Sequence, residues 1–199
     1  MLKLTVSLRA EFLGQFKLYQ NDIPVEFPAA VSARILLAYL VLHPGHAYPR
    51  SVLAEMLAPN QPEHQARHAL SQALWHIRRC LPGLIEGGKE EIQISSQISV
   101  EVDALGFRAL AERCLARQGN PQAVLVDLSE AAELYQGDLL EGFYDDWTLA
   151  EREWLRKQHL QVLEGLILTL KAKLRYEQAL NVALRLVNAD PLRESAHRE

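Results

Sequence analysis

The sequence has two cysteines, no long apolar run and no excess of positive charge, and each of these shortages excludes a class of protein. Cys80 and Cys114 fall in helical patterns beside apolar residues, so we expect free buried thiols in a reducing compartment rather than a disulfide framework. No apolar run approaches the roughly 18 residues that suggest a membrane span, and residues 1–8 lack a signal peptide's apolar core. We therefore predict a cytoplasmic protein without a membrane partner.

Motifs for catalysis and metal binding are also missing. The chain has no glycine-rich phosphate loop, no Ser in a nucleophile elbow, and no Cys with an identifiable His partner. His64 and His68 have a helical spacing that can bind zinc, but no third ligand is evident nearby. Four carboxylates lie around two glycines: Asp138, Glu141, Asp145 and Asp146. We interpret them as a solvated loop with capping carboxylates, and predict no enzyme activity, no metal site and no cofactor.

The length and the charge distribution divide the chain in two. Its 199 residues are 49% hydrophobic, which suits two compact domains of about 100 residues each. Residues 1–100 hold 9 Lys+Arg and 8 Asp+Glu, a net charge of +1, whereas residues 101–199 hold 12 and 17, a net charge of −5. A contact with DNA would belong to the first half, because the acidic second half is repelled by phosphates. The small positive excess predicts modest affinity unless the protein dimerises or binds a further partner.

The first half begins with short apolar runs between turn signals, from Leu4 to Phe27, which predict a small antiparallel sheet with a hairpin turn at Asn21-Asp22. A nearly all-apolar helix follows, with Ser32 as its expected N-cap and Pro44-Gly45 as its end. After a connector at 46–49, residues 50–57 predict a short amphipathic helix opened by Pro49. We expect the apolar helix to form the centre of this domain.

The stretch 65–81, Q-A-R-H-A-L-S-Q-A-L-W-H-I-R-R-C-L, has the clearest pattern in the chain. Its apolar residues recur every three or four positions and predict one buried helix face. The opposite face and its flanks carry no carboxylate but many forked or flat hydrogen-bonding groups, which suit base edges and phosphates in a major groove. In the alternative interpretation its polar residues are merely solvated and Trp75 packs on a neighbouring element.

Two helices joined by a tight polar loop, the second with a face suited to a groove, are typical of a helix-turn-helix. After Pro82-Gly83, residues 84–94 predict two short strands about Gly87-Gly88, which would be the wing of a winged helix. In the resulting DNA-binding hypothesis, phosphates or guanine are contacted by Arg67, Arg78, Arg79 and Lys89. The bases are contacted by His68, Ser71, Gln72 and Trp75, and the flanking DNA backbone is contacted by Arg50. Three glutamates make the wing acidic and so weaken the DNA-binding hypothesis: Glu86, Glu90 and Glu91.

From residue 104 onward the pattern is almost wholly helical. We expect helices to about Gln118, from Pro121 to Tyr135, and from about Thr148 to Lys173. The last clear unit places Ala179 and Ala183 on one face, as in a tetratricopeptide-like helical hairpin, before a further helix that begins at Pro191.

Two ordered sets of motifs resemble a known bacterial family. The first set is A-R-I-L-L-A-Y-L-V-L-H-P-G (33–45), S-V-L-A-E-M-L (51–57) and A-R-H-A-L-S-Q-A-L-W-H-I-R-R-C-L (66–81). The second is Val102-Asp103-Ala104 with Phe107, L-Y-Q-G-D-L-L (134–140), Asp146-Trp147 with Glu151-Arg152, and D-P-L-R-E (190–194) with His197-Arg198. They are similar, respectively, to the winged helix of the Streptomyces antibiotic regulatory protein family and to its bacterial transcriptional activator domain. The chain departs from the family at Leu57-Ala58, where Leu-Trp is usual, and at Trp75.

The resemblance implies a mainly α protein. It would consist of a winged helix-turn-helix with small antiparallel sheets at 1–101, followed by an all-α tetratricopeptide-like domain at 102–199, which we expect to be incomplete at its C-terminal end. The implied function is a bacterial transcriptional activator that binds double-stranded DNA, with RNA polymerase and a second copy of the chain as further partners. The alternative is a protein-interaction module, or the regulatory head of a larger signalling ATPase, without DNA binding of its own.

Overall fold

The structure, a computed structural model, describes residues 6–116 and 121–190 of the chain. The described residues form two compact units. The first unit comprises residues 6–11 and 17–102, and the second comprises residues 12–16, 103–116 and 121–190. Among these residues, no helix is both long and apolar enough to span a membrane.

The first unit begins with a four-stranded sheet in the order β3-β2-β1-β7. Its strands are β1 (Val6–Glu11), β2 (Lys17–Gln20), β3 (Ile23–Pro24) and β7 (Ile98–Val102). The predicted turn between β2 and β3 is confirmed, and Asn21 and Asp22 adopt the positive φ that it requires. The pairing of β7 with β1 is parallel, with Leu8 opposite Val100. The sequence did not predict β7, because its partner lies about 90 residues earlier.

Three helices form the core of this unit: α1 (Val31–Leu42), α2 (Arg50–Leu57) and α3 (Glu63–Cys80). α1 is buried along most of its length, as its composition predicts. The predicted N-cap at Ser32 is wrong. The amides of Ala33 and Arg34 already bond to the carbonyl of Ala30, so the helix begins before Ser32 and the N-cap residue is Ala30.

The predicted wing hairpin is confirmed and has a third strand. β5 (Ile85–Gly87) pairs antiparallel with β6 (Glu91–Ile94), and β4 (Tyr48–Pro49) pairs with the other edge of β6. The interpretation of residues 46–49 as a plain connector was therefore incomplete. β4 leads directly into α2, so the wing sheet and the start of α2 are adjacent.

The described residues of the second unit form four helices: α4 (Asp103–Ala116), α5 (Pro121–Leu134), α6 (Asp146–Ala172) and α7 (Tyr176–Ala189). Each helix packs against the next one in the chain, and Ala179 and Ala183 are buried on α7, which confirms the predicted helical hairpin. Arg185 ties α7 to α5 by donating to the carbonyl oxygen of Ala132 at 2.6 Å. The predicted break at 119–120 and the further helix from Pro191 lie outside the described residues.

Residues 12–16 belong to the second unit although they follow β1. The carboxylate of Asp103 accepts hydrogen bonds from the backbone amides of Phe12 and Leu13 at 2.8 to 2.9 Å. The amide of Leu140 donates to the carbonyl of Phe12 at 2.8 Å. Phe12 is completely buried and stacks on Phe16. This segment therefore completes the core of the helical unit.

Candidate nucleic-acid interface

Helix α3 buries one face and exposes the other, as its apolar periodicity predicts. The buried side chains are Ala66, Leu70, Ala73, Leu74 and Ile77, and the helix packs through them against α1 and α2. All the α3 residues predicted to contact DNA are exposed: Arg67, His68, Ser71, Gln72, Trp75, Arg78 and Arg79. They span about 18 Å of the helix, at 1.5 Å per residue. We call this surface the α3 face.

A cleft of about 560 Å³ joins the α3 face to the wing and to the start of α2. Its lining includes the predicted contacts Arg50, Arg67, Ser71 and Lys89, together with Glu90. The backbone amide of Arg50 donates to the carbonyl oxygen of Glu90 at 2.8 Å, which holds the tip of the wing against the first turn of α2. Three cationic side chains from three separate elements therefore converge on one cleft.

A second hollow, of about 410 Å³, lies further along α3. It is lined by His68, Ser71, Gln72, Trp75 and His76. Ser71 lines both spaces, so the cleft and the hollow are adjacent parts of one concave surface. Arg78 and Arg79 are exposed but line neither of them.

Several side chains of the α3 face form hydrogen bonds or ion pairs within α3 itself. The Ser71 hydroxyl donates to the carbonyl oxygen of Arg67 at 2.8 Å, and the Gln72 amide nitrogen lies 2.9 Å from Nε2 of His68. Arg67 also forms an exposed ion pair with Glu63, one turn earlier. Glu63 lies outside the stretch 65–81, but its spacing of four residues from Arg67 is the sequence signal for this pair.

Trp75 lies on the surface rather than against a neighbouring element. Its side chain is 54% exposed, and its ring contacts belong to α3 itself. The Cζ atom of Arg79 lies 5.1 Å from the indole centroid, within the range of a cation–π contact, and the His76 ring lies edge-on at 4.9 Å. The α3 face thus presents a flat aromatic surface with a guanidinium group held beside it.

The three carboxylates of the wing differ in exposure. Glu86 is half-buried, and its carboxylate accepts a hydrogen bond from the Ser95 hydroxyl. Glu90 and Glu91 remain exposed beside the exposed Lys89. The wing therefore keeps its three carboxylates, two of them exposed beside Lys89, and these oppose an approaching phosphate.

The acidic loop of the second unit contains a structural cluster. Tyr135 donates its hydroxyl to Asp138 at 2.9 Å and stacks on the buried ring of His159 at 4.1 Å. Arg152 donates to the carbonyl oxygens of Leu139, Leu140 and Phe143 at 2.7 to 2.8 Å. Within the described part of the chain, no group of three or more His, Cys, Asp or Glu side chains is placed to hold a metal ion.

These elements define a two-part protein of known architecture: a winged helix-turn-helix, followed by a unit of packed helical hairpins. The second of these parts was compared with known protein families. Residues 102–199 match the bacterial transcriptional activator domain. The second half of the predicted resemblance is thereby confirmed.

A solved structure of Mycobacterium tuberculosis EmbR in complex with a low-affinity phosphopeptide has a similar fold, with a TM-score of 0.60 and 16% sequence identity. The similarity covers 94% of this chain and 61% of the EmbR chain. No curated protein matches the sequence. Membership of the first half in the Streptomyces antibiotic regulatory protein family stays a prediction.

Proposed function

We propose that the protein is a cytoplasmic bacterial transcriptional activator whose first domain, residues 1–101, binds double-stranded promoter DNA. Residues 102–199 would form the activator domain. One observation carries the proposal: Arg50 from α2, Arg67 and Ser71 from α3, and Lys89 from the wing line one cleft beside an exposed helix. A helix that fits a major groove, flanked by cations that can reach phosphates, is the geometry of winged-helix DNA binding.

The predicted roles divide along the surface. Arg67, Arg78, Arg79 and Lys89 bind phosphates or guanine, and Arg50 binds the flanking backbone. His68, Ser71, Gln72 and Trp75 face the bases. The ion pair between Arg67 and Glu63 is exposed, so a phosphate can replace the carboxylate at little cost.

The charge balance indicates how the two domains cooperate. With a net charge of +1 over residues 1–100, few phosphate contacts are available to one chain, so we expect a dimer on repeated half-sites. With a net charge of −5, residues 101–199 are repelled by DNA and are free to contact protein partners. RNA polymerase is the partner that an activator requires.

The test is binding of the purified chain to the upstream region of its own operon, measured by fluorescence anisotropy at several salt concentrations. We expect saturable binding that weakens as salt rises, and at least a tenfold loss for Arg79→Ala. Lys157→Ala is the control, because it removes the same charge from an exposed position on α6. Equal binding by the two variants would exclude Arg79 from the interface.

The alternative function is a protein-interaction module or the regulatory head of a larger signalling ATPase. The exposed wing carboxylates Glu90 and Glu91 and the pairing of Arg67 with Glu63 favour it, because they reduce the field that attracts DNA. The same titration distinguishes the two functions. Absence of binding at low salt, even by a dimer made through a fused leucine zipper, would reject DNA binding and leave the alternative.

A further inference from the structure

Trp75 has no role in phosphate binding, yet it lies in the middle of the α3 face. Its indole forms one wall of the 410 Å³ hollow and remains more than half exposed. A large apolar surface in contact with water favours an apolar partner. The DNA-binding proposal, on which this inference rests, limits what that partner can be.

Thymine supplies the apolar group that a major groove presents. Each base pair displays hydrogen-bond donors and acceptors there, and thymine adds its 5-methyl group, which contacts apolar side chains. A methyl group is small enough to enter the hollow beside the indole. The Trp75 ring is flat and can cover it.

The polar walls of the hollow allow an apolar group to enter. Gln72 and His68 are within hydrogen-bonding distance of each other, and the Ser71 hydroxyl already donates to the carbonyl oxygen of Arg67. These contacts remain intact when a methyl group displaces water from the hollow. The usual cost of burying polar groups without partners is therefore reduced.

Arg79 extends the site by one helical turn. Its guanidinium group lies against the indole, which restricts its orientations, and a fixed guanidinium fork can bond to O6 and N7 of guanine. One turn of helix advances about 5.4 Å, and base pairs are about 3.4 Å apart. Arg79 therefore reaches a base one or two steps from the one that Trp75 contacts.

We propose that Trp75 reads the 5-methyl group of a thymine and positions Arg79 to read a guanine one or two base pairs away. Trp75 would thus be both a specificity-determining residue and a positioning residue. The partner is duplex DNA with adjacent thymine and guanine in its major groove.

The test removes single groups from the DNA. A duplex is first selected by the wild-type chain, residues 1–199, from a pool of random sequence. Each thymine is then replaced by deoxyuridine, which lacks only the methyl group, and each guanine by 7-deazaguanine, which lacks N7. At one thymine we expect about a fourfold loss of wild-type affinity, the effect of one buried methyl-sized group. A nearby guanine should show a loss of about fivefold or more.

The variants assign each loss to a side chain. Trp75→Ala should bind the thymine and deoxyuridine duplexes equally and lose part of its sensitivity to 7-deazaguanine. Arg79→Ala should lose the guanine effect and keep the methyl effect. Trp154→Ala is the control, because Trp154 is also an exposed tryptophan under an arginine, with Cζ of Arg108 4.7 Å from its ring; it should behave as wild type.

Two negative results have different meanings. If the wild type selects a duplex but deoxyuridine affects wild type and Trp75→Ala equally, Trp75 does not read a methyl group and this inference is wrong. If the wild type selects no duplex, the proposed function itself fails. Alanine and glutamine both favour helix more than tryptophan does, so Trp75→Gln should repeat the Trp75→Ala result with α3 intact; a methyl effect that persists in Trp75→Gln would also contradict the inference.

Discussion

His159 is a buried histidine that is neutral in the folded protein. Its ring is stacked on Tyr135 with an interplanar angle of 9°, and its Nδ1 atom has no hydrogen-bond partner. Burial, together with the nearby Arg185, lowers the pKa of His159 to about 4, and Asp138 acts in the opposite direction. Burial also raises the pKa of the Tyr135 phenol, which therefore remains protonated and donates to Asp138.

This cluster predicts a dependence of stability on pH. An unfolded histidine binds a proton near pH 6.5, whereas His159 in the folded protein binds one near pH 4. The contribution of neutral His159 to the free energy of unfolding is complete above pH 6.5. It is lost as the pH falls toward 4. Between pH 7 and pH 5 we expect a loss of about 2 kcal/mol from this group. This loss can be measured by urea unfolding of the wild type and of His159→Gln at both pH values.

The substitution should weaken the fold at pH 7 and reduce the loss between pH 7 and pH 5. His64→Gln is the matched control, since His64 is exposed at the start of α3 and should leave the pH dependence unchanged. An equal loss in wild type and His159→Gln would contradict the assignment to this histidine.

Among the elements, the wing offers the sharpest test, because its two adjacent glycines differ. Gly87 has a φ of +133°, and a Cβ atom there would overlap the backbone carbonyl oxygen of Glu91 across the hairpin. Gly88 has no neighbouring atom within 4 Å of the position that a Cβ would occupy. Gly87→Ala should therefore distort the hairpin and move Lys89 away from its cleft, whereas Gly88→Ala should not.

We expect Gly87→Ala to weaken DNA binding at least fivefold and to speed amide exchange at Ile92, as measured by anisotropy and by hydrogen exchange. Gly88→Ala should resemble wild type in both measurements. If both variants bind DNA as wild type does, the wing does not contribute to the interface.

Local patterns predicted some elements and left others out, for a physical reason. α3 and the β5–β6 hairpin depend on helical periodicity and on a glycine turn, which can be recognised within a few residues. β4, the parallel pairing of β7 and the position of residues 12–16 depend on partners far along the chain, and no local pattern encodes them. Exposure of the candidate DNA contacts followed from helical projection, but the bonds among them required the side-chain positions.

At the scale of the whole molecule, residues 12–16 join two units that differ in charge and architecture. The chain passes from the first unit to the second after Glu11, returns at Lys17, and passes to the second again at Asp103. The helical unit is therefore not encoded by one continuous segment. A boundary drawn in the sequence near residue 102 removes the buried Phe12 from its core.

Dividing the chain at that boundary should lower the stability of the helical unit. Residues 103–199 alone should unfold at lower urea than a fragment in which residues 10–18 precede them through a flexible linker. Losing a buried phenylalanine such as Phe12 typically costs about 3 kcal/mol or more, and Asp103 also loses two backbone donors. A linked fragment with Phe12→Ala and Phe16→Ala is the control for the linker, and it should not recover the stability. Equal midpoints for all three fragments would show that residues 12–16 do not stabilise the helical unit. A higher midpoint for the unmodified linked fragment alone would show that the activator domain requires a segment from the N-terminal part of the chain to complete its core.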